Sequence, residues 1–380
     1  MKKLFFISAF CMFLPLLAVV PGDRPGEASS RLEWLDCSPA PLGKLDPENR
    51  KNIPPLRAVV FMYTRAADSV KTINMLENLR RQNYKKVLIS VITPDAPDDA
   101  REFRKQHKDV RVRMAVDLER KLTPEYMRGS IMMFPMAFLM DSEGVIIWRG
   151  EAVDLPEAVE LQLAGKLDLS TQKKLAGKVY KMQQYMRDGN MFKICSAAQE
   201  ILAIDPANAS ALRMAVFAFE NLKQPARAWQ LTMQVMKARP DLPRLYFTAL
   251  DLAMRHAGCR EKLPELIREF NQKPFPIAVR CGFINMLLNN FPFDAAAVTG
   301  AKDILAATPM PLNVTSEQQA MILAVRSRLH YALGSIRSAE TDIARAVELF
   351  REAGAENSRI QAQKQLDYYR ALLKLLEQVK

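Results

Sequence analysis

Four prolines in the second half of the chain, Pro206, Pro240, Pro274 and Pro309, follow one another at intervals of 34, 34 and 35 residues. Between them apolar residues recur with helical spacing over 211–222 and 226–237, and the pattern returns at 316–333 and 338–351. Short turns carrying Gly or Pro separate these stretches. A helix pair of this length cannot bury its apolar face alone, so a fixed period implies that successive pairs stack on one another. Residues 171–380 are therefore expected to form an all-α domain of helical hairpins, with 360–379 capping the stack. Met214, Phe217, Phe219, Trp229, Met233 and Met236 sit at helical spacing, which assigns them to the core in preference to a cofactor or peptide groove.

The first half obeys a different rhythm. Residues 58–63 are almost wholly apolar, as in a strand covered on both faces by helices. A helix is expected over 68–83, with Asp68 or Ser69 able to cap its first turn. The β-branched run at 87–92 reads as a second strand and ends at Thr93-Pro94-Asp95. A charged helix at 98–107, a short strand at 112–116 and a helix at 118–126 follow. Strand and helix alternating in this order imply parallel pairing with right-handed crossovers. Farther on, Asp141-Ser142-Glu143-Gly144 separates two apolar runs and reads as a hairpin turn, Gly144 supplying the positive φ such turns need. Pro135 opens the first of these two antiparallel strands, where the ladder does not need its missing donor.

The segment from Phe134-Pro135 through Asp141-Ser142-Glu143-Gly144 to Trp148-Arg149-Gly150-Glu151 resembles the cis-proline strand and hairpin of exported thioredoxin-like proteins of the TlpA and ResA type. Residues 59–79 resemble that family's first central strand and active-site helix. The resemblance implies an α/β thioredoxin-like domain, a central mixed sheet flanked by helices, over 31–169, with Pro135 as the cis-proline facing the redox site. It also implies a C-x-x-C at the turn, where a helix N-terminus favours the thiolate. Here Ala66 falls at the nucleophilic position and Ser69 at the resolving one, so neither can exchange a disulfide. In a peroxiredoxin-like register Thr64 would precede Ala67 at the peroxidatic position, and that chemistry fails as well. Arg65 replaces the aromatic residue usual before the motif. In the second half, Asp188-Gly189-Asn190, Ala197-Ala198 and Ala203-Ile204-Asp205-Pro206 resemble a tetratricopeptide turn, second helix and exit, which makes 171–380 a TPR-like domain.

At the N-terminus Lys2 and Lys3 precede an uncharged apolar run over 4–20, followed by Gly22, Gly26 and Ala28. Residues 1–28 thus have the layout of a secretory signal peptide, cleaved after Gly22 or Ala28, although the run is long enough to remain as an anchor. Export to the periplasm or envelope is expected. Without the leader, Cys37, Cys195, Cys259 and Cys281 remain, and none lies in a C-x-x-C pair. They allow three full disulfide pairings, or free thiols buried in helices. His107, His256 and His330 have no ligand-like spacing to one another or to the cysteines, and no P-loop, dinucleotide fingerprint or G-x-S-x-G elbow is present. No cofactor or metal is expected.

The net charge of +12 comes from Lys and Arg spread along helical stretches, without the basic, aromatic-interleaved segments of a nucleic-acid binder. The sequence reads as an exported, redox-inactive thioredoxin-like and TPR-like protein that binds a protein or peptide through its helical half. The alternative is a divergent thiol-disulfide oxidoreductase using Cys37 or another cysteine outside the motif. A third reading, a structural protein tethered to the membrane, requires residues 1–28 to stay attached.

Overall fold

The structure is a computed structural model that describes residues 20–24, 31–35, 37, 39, 42, 54–127, 134–308 and 313–378. The N-terminal run up to residue 19, with Cys11 and most of the expected signal peptide, lies outside the described residues, as do residues 131–133 and Pro309. The chain divides into two compact units, one ending at Ala218 and one running from Phe219 to Lys380.

The first unit is built on six strands: β1 (Leu32–Leu35), β2 (Leu56–Phe61), β3 (Val87–Thr93), β4 (Arg113–Asp117), β5 (Met136–Met140) and β6 (Ile146–Glu151), in the spatial order β1-β4-β3-β2-β5-β6. Strands β2, β3 and β4 are parallel neighbours, joined by the crossover helices α1 (Ser69–Gln82) and α2 (Pro97–Gln106). Strand β5 runs antiparallel to β2, β6 antiparallel to β5, and β1 antiparallel to β4. The sheet is mixed, and two of its inner strands, β2 and β5, are buried along their whole length.

All six residues of β2 are buried because their side chains alternate between two covered faces. Ala58 and Val60 pack with Ile73 and Leu76 of α1, Phe103 of α2, and Leu155 and Val159 of α4 (Leu155–Leu163). Val59 and Phe61 face the other way, against Leu122 and Tyr126 of α3 (Leu122–Met127). There Phe61, Tyr126 and Phe138 form a triangle with ring centroids 5.0–5.9 Å apart. The start of α3 departs from the sequence expectation. The buried Asp117 carboxylate accepts the Thr123 N–H at 2.8 Å and its hydroxyl at 2.9 Å, which keeps the chain in a turn until Leu122 instead of starting a helix at 118. At the predicted hairpin, Gly144 has φ +77°, and Asp141 accepts the Glu143 and Val145 N–H groups at 2.9 Å.

The free side of β6 is closed at its first residue by Gly22 and Asp23. Gly22 donates to the Ile146 carbonyl at 2.7 Å, the Ile146 N–H donates to Asp23 at 2.9 Å, and Pro21 is buried. Helices α5 (Leu169–Arg187) and α6 (Met191–Ile204) then form a hairpin around Gly189, at φ +63°. The first turns of α7 (Ala209–Asn221) complete the unit.

The second unit is wholly helical among its described residues: α8 (Pro225–Ala238), α9 (Pro243–Arg255), α10 (Ala257–Arg260), α11 (Leu263–Asn271), α12 (Ile277–Asn290), α13 (Ala295–Ala306), α14 (Ser316–Ala332), α15 (Ile336–Glu352) and α16 (Glu356–Gln378). Contacts recur between residues 34 apart: the Cys259 thiol meets the Pro225 carbonyl at 3.8 Å, and Arg260 pairs with Asp294 at 3.1 Å. Helices α11 and α13 touch at Gly300, where a Cβ would stand 2.6 Å from the Ile267 side chain. Nearby, Arg280 is 2% exposed and donates to Thr308, Asn271 and the carbonyls of Lys273 and Ile304, joining α11, α12 and α13 through neutral partners.

Candidate functional site

Strand β2 delivers the chain into the turn that the sequence singles out. The Met62 N–H still pairs with Ile92 at 3.1 Å, so the sheet holds the chain up to the turn. The Thr64 N–H and hydroxyl then both donate to Asp95, at 2.6 and 2.7 Å, and the Thr93 hydroxyl donates to the same oxygen at 3.0 Å. One carboxylate beyond β3 therefore fixes the turn from below. Above it the chain closes tightly: Ala66 N–H points to Tyr63 at 3.4 Å and Ser69 N–H to Ala66 at 3.0 Å. Ala66 is half-buried, and Ser69 is 4% exposed as the first residue of α1.

Asp68 occupies the N-cap position of α1, but its side chain makes no capping hydrogen bond, contrary to the sequence expectation. Its φ and ψ of −98° and 1° are not the extended geometry that aims a cap at the helix amides. Instead Asp68 is exposed and contributes to the wall of a cavity.

Across the cavity stands Pro135. The register Phe61 with Met136 places it one step beyond the end of β2, and the Phe134–Pro135 peptide is cis. Tyr63 and Phe134 rings pack at 4.6 Å, linking the turn to the proline, while the Pro135 carbonyl accepts Ala152 N–H at 3.0 Å. A parallel β2-α1-β3-α2-β4 half, an antiparallel hairpin on the other side of β2, and a cis-proline against the α1 turn now stand together. The fold is thioredoxin-like.

The cavity has a volume of about 470 Å³. One wall is a single face of α1, Asp68, Lys71, Thr72 and Met75 at the i, i+3, i+4, i+7 spacing. Phe134 and Pro135 form the second wall, and Glu151, Ala152 and Val153 at the end of β6 form the third. The lining is mainly apolar, with charges of both signs from Asp68, Lys71 and Glu151. Glu151 is held in place by α7: it accepts the Ser210 hydroxyl at 3.0 Å and pairs with Arg213 at 2.8 Å. Arg213 also grips Asp154 through two nitrogens, at 3.0 and 2.8 Å. Burial alone would lower the Arg213 pKa, but these carboxylates raise it. Sequence reasoning did not find this cluster, because its members lie about 60 residues apart and nothing local pairs them.

Thiol chemistry has no foothold at the turn. All four described cysteines are free, so none of the three pairings open to the sequence forms. Cys195, Cys259 and Cys281 are buried, and burial pushes the Cys281 thiol up to about 11 and raises that of Cys259. Cys37 is partly exposed and lies 3.8 Å from the Met114 carbonyl on β4, on the far side of β3 from the turn.

No protein-family model matches the chain, and no curated protein matches it. Among solved structures it is similar to StoA from Bacillus subtilis, at 16% identity over 28% of this chain and 83% of that one, with a TM-score of 0.24. It is also similar to a thiol-disulfide isomerase from Corynebacterium glutamicum, at 16% identity over 40% and 96% with a TM-score of 0.28. A thiol peroxidase from Chromobacterium violaceum gives 14% identity over 40% and 90%, with a TM-score of 0.29. At such scores these likenesses add nothing to the fold assignment, which rests on strand order and the cis-proline.

Proposed function

We propose that this protein is an exported, redox-inactive binding or assembly module of the cell envelope, a thioredoxin-like domain over 31–169 followed by TPR-like repeats over 171–380. The observation that carries the reading is at the turn: the positions for the two redox cysteines hold Ala66 and Ser69, yet the cavity between α1 and Pro135 is retained. A groove without a nucleophile can hold an extended chain and release it unchanged.

The repeat assignment draws support from helix spacing. Helices α7, α9 and α12 begin at residues 209, 243 and 277, at the period of the prolines. The contacts of Cys259 with Pro225 and of Arg260 with Asp294 span the same 34 residues. A stack of this kind offers a protein or peptide partner a continuous surface. The competing reading, a divergent oxidoreductase, retains Cys37 as the described cysteine that is not buried.

Insulin reduction by the purified protein in the presence of dithiothreitol separates the two readings. Turnover at the uncatalysed rate is expected; thioredoxin-like turnover would overturn the proposal, and its loss on Cys37→Ser would establish the alternative.

A further inference from the structure

Helix α5 carries Lys173, Lys174, Lys178, Lys181 and Arg187 and not one Asp or Glu in nineteen residues. At 100° per residue the five cations fall on one half of the helix, and the buried Leu175 and Met182 fall on the other. Only Lys178 forms an ion pair among the described residues, with Glu200 at 2.5 Å; Lys173, Lys174, Lys181 and Arg187 are exposed. A helix face that serves solubility alone interleaves both signs, as α15 does with Arg337, Glu340, Arg345 and Glu348. On α5 itself this face is of one sign; Asp168 beside Lys174 and Glu200 beside Lys178 and Lys181 offset two of its five charges, and the surplus calls for an anionic counterpart.

Its position says which one. Helix α5 packs on β6, whose free side is closed by Gly22 and Asp23. The Lys173 side chain lies directly against Gly22, with its Cε 2.1 Å from where a Cβ would stand. Two residues earlier, at Val20, the uncharged apolar run of the leader ends. The basic face therefore flanks the point at which the apolar run joins the folded unit. Tyr180 and Tyr185, half-buried on the same half of α5, suit headgroup depth.

We propose that the basic face of α5 seats on the surface of a bilayer containing anionic phospholipid, holding the thioredoxin-like unit against the membrane where its leader inserts. Each Lys or Arg close to an anionic surface adds roughly fivefold to binding, and the effect fades within a Debye length. A duplex nucleic acid would meet the same charges, but nothing would place it beside residue 20. This inference rests on residues 1–28 staying attached as an anchor, and is independent of the cavity and of the redox-inactive reading.

The test is sedimentation of the full chain with vesicles of phosphatidylcholine, with and without a quarter of phosphatidylglycerol. The apolar run of the leader partitions into both compositions while Lys2 and Lys3 favour the anionic one, so the difference in that ratio between the unmodified chain and an α5 variant isolates the α5 contact. The unmodified chain should favour the anionic vesicles by about tenfold or more, and lose that preference at about 0.5 M salt. A variant with Lys173→Gln, Lys174→Gln, Lys181→Gln and Arg187→Gln, leaving the Lys178 ion pair intact, should lose it at low salt. Equal partition of the unmodified chain, or a preference kept by the folded variant, overturns the proposal. So does a variant that loses affinity for a short DNA duplex while keeping its vesicle preference. Should that variant lose its helical spectrum, Lys181→Gln with Arg187→Gln takes its place: the pair should cut the preference by about fivefold or more, and an unchanged preference in the folded pair overturns the proposal.

Discussion

Glu77 is a carboxylate on α1 with a side chain only 5% exposed. Burial alone would raise its pKa, but hydrogen bonds from Arg80, Arg81 and the Arg111 N–H hold it down at about 2. A carboxyl lowered in the folded state contributes stability above its unfolded value of 4.5, and that contribution is lost as pH falls toward 2. The full effect is about 3 kcal/mol, of which about 2 kcal/mol is gone by pH 3. Chemical denaturation of the unmodified chain and of Glu77→Gln should show a gap at pH 7 that narrows by roughly that amount at pH 3. A gap independent of pH would mean that Glu77 contributes by packing and not by charge.

The turn into α1 is the element on which the functional reading depends. If Ala66 and Ser69 stand where a cysteine pair would, then Ala66→Cys with Ser69→Cys should form an intramolecular disulfide on oxidation, because the bond from the Ser69 N–H to the Ala66 carbonyl, at 3.0 Å, closes a turn that keeps the two residues near one another. Thiol titration before and after reduction, with Cys37 and the three buried cysteines as the background, measures it. Two free thiols persisting in a folded, oxidised double variant would show that this turn is not built as a redox turn. Much of the surrounding fold was legible in the chain. The helix at 316–333 is observed as Ser316–Ala332 because Thr315 and Gln318 form a capping box at its start and Gly334, at φ +77°, ends it. Strand β1 was not legible: Leu32-Glu33-Trp34-Leu35 is too short to show a period, and only its pairing with Met114 to Asp117 makes it a strand. Asp68 was misread as a cap because its residue type suits one, and φ and ψ cannot be read from residue type.

At the scale of the molecule, the first compact unit does not stop where the strand pattern does. The Glu151, Asp154, Ser210 and Arg213 cluster binds the start of α7 to the end of β6, so a helix that the sequence groups with the repeats is fastened to the cavity wall. Arg213→Met should lower the stability of the first unit by about 1–2 kcal/mol, after discounting for the partial exposure of the arginine. In a Trp229→Phe background, urea unfolding followed by the fluorescence of Trp34 and Trp148 reports on that unit, and an unchanged midpoint would show that the cluster is only a surface contact. No local signal announces such a joint, because charge pairs across long sequence separations leave no periodicity.

Arg280 makes a joint of the opposite kind. Burial lowers the pKa of its guanidinium, but from so high a value that the group stays charged near neutrality, and its partners Asn271, Thr308 and two backbone carbonyls cannot titrate. Buried from solvent, it is also beyond the reach of mobile ions. As acidity and salt change, α11, α12 and α13 are thus held by a fastening that responds to neither variable.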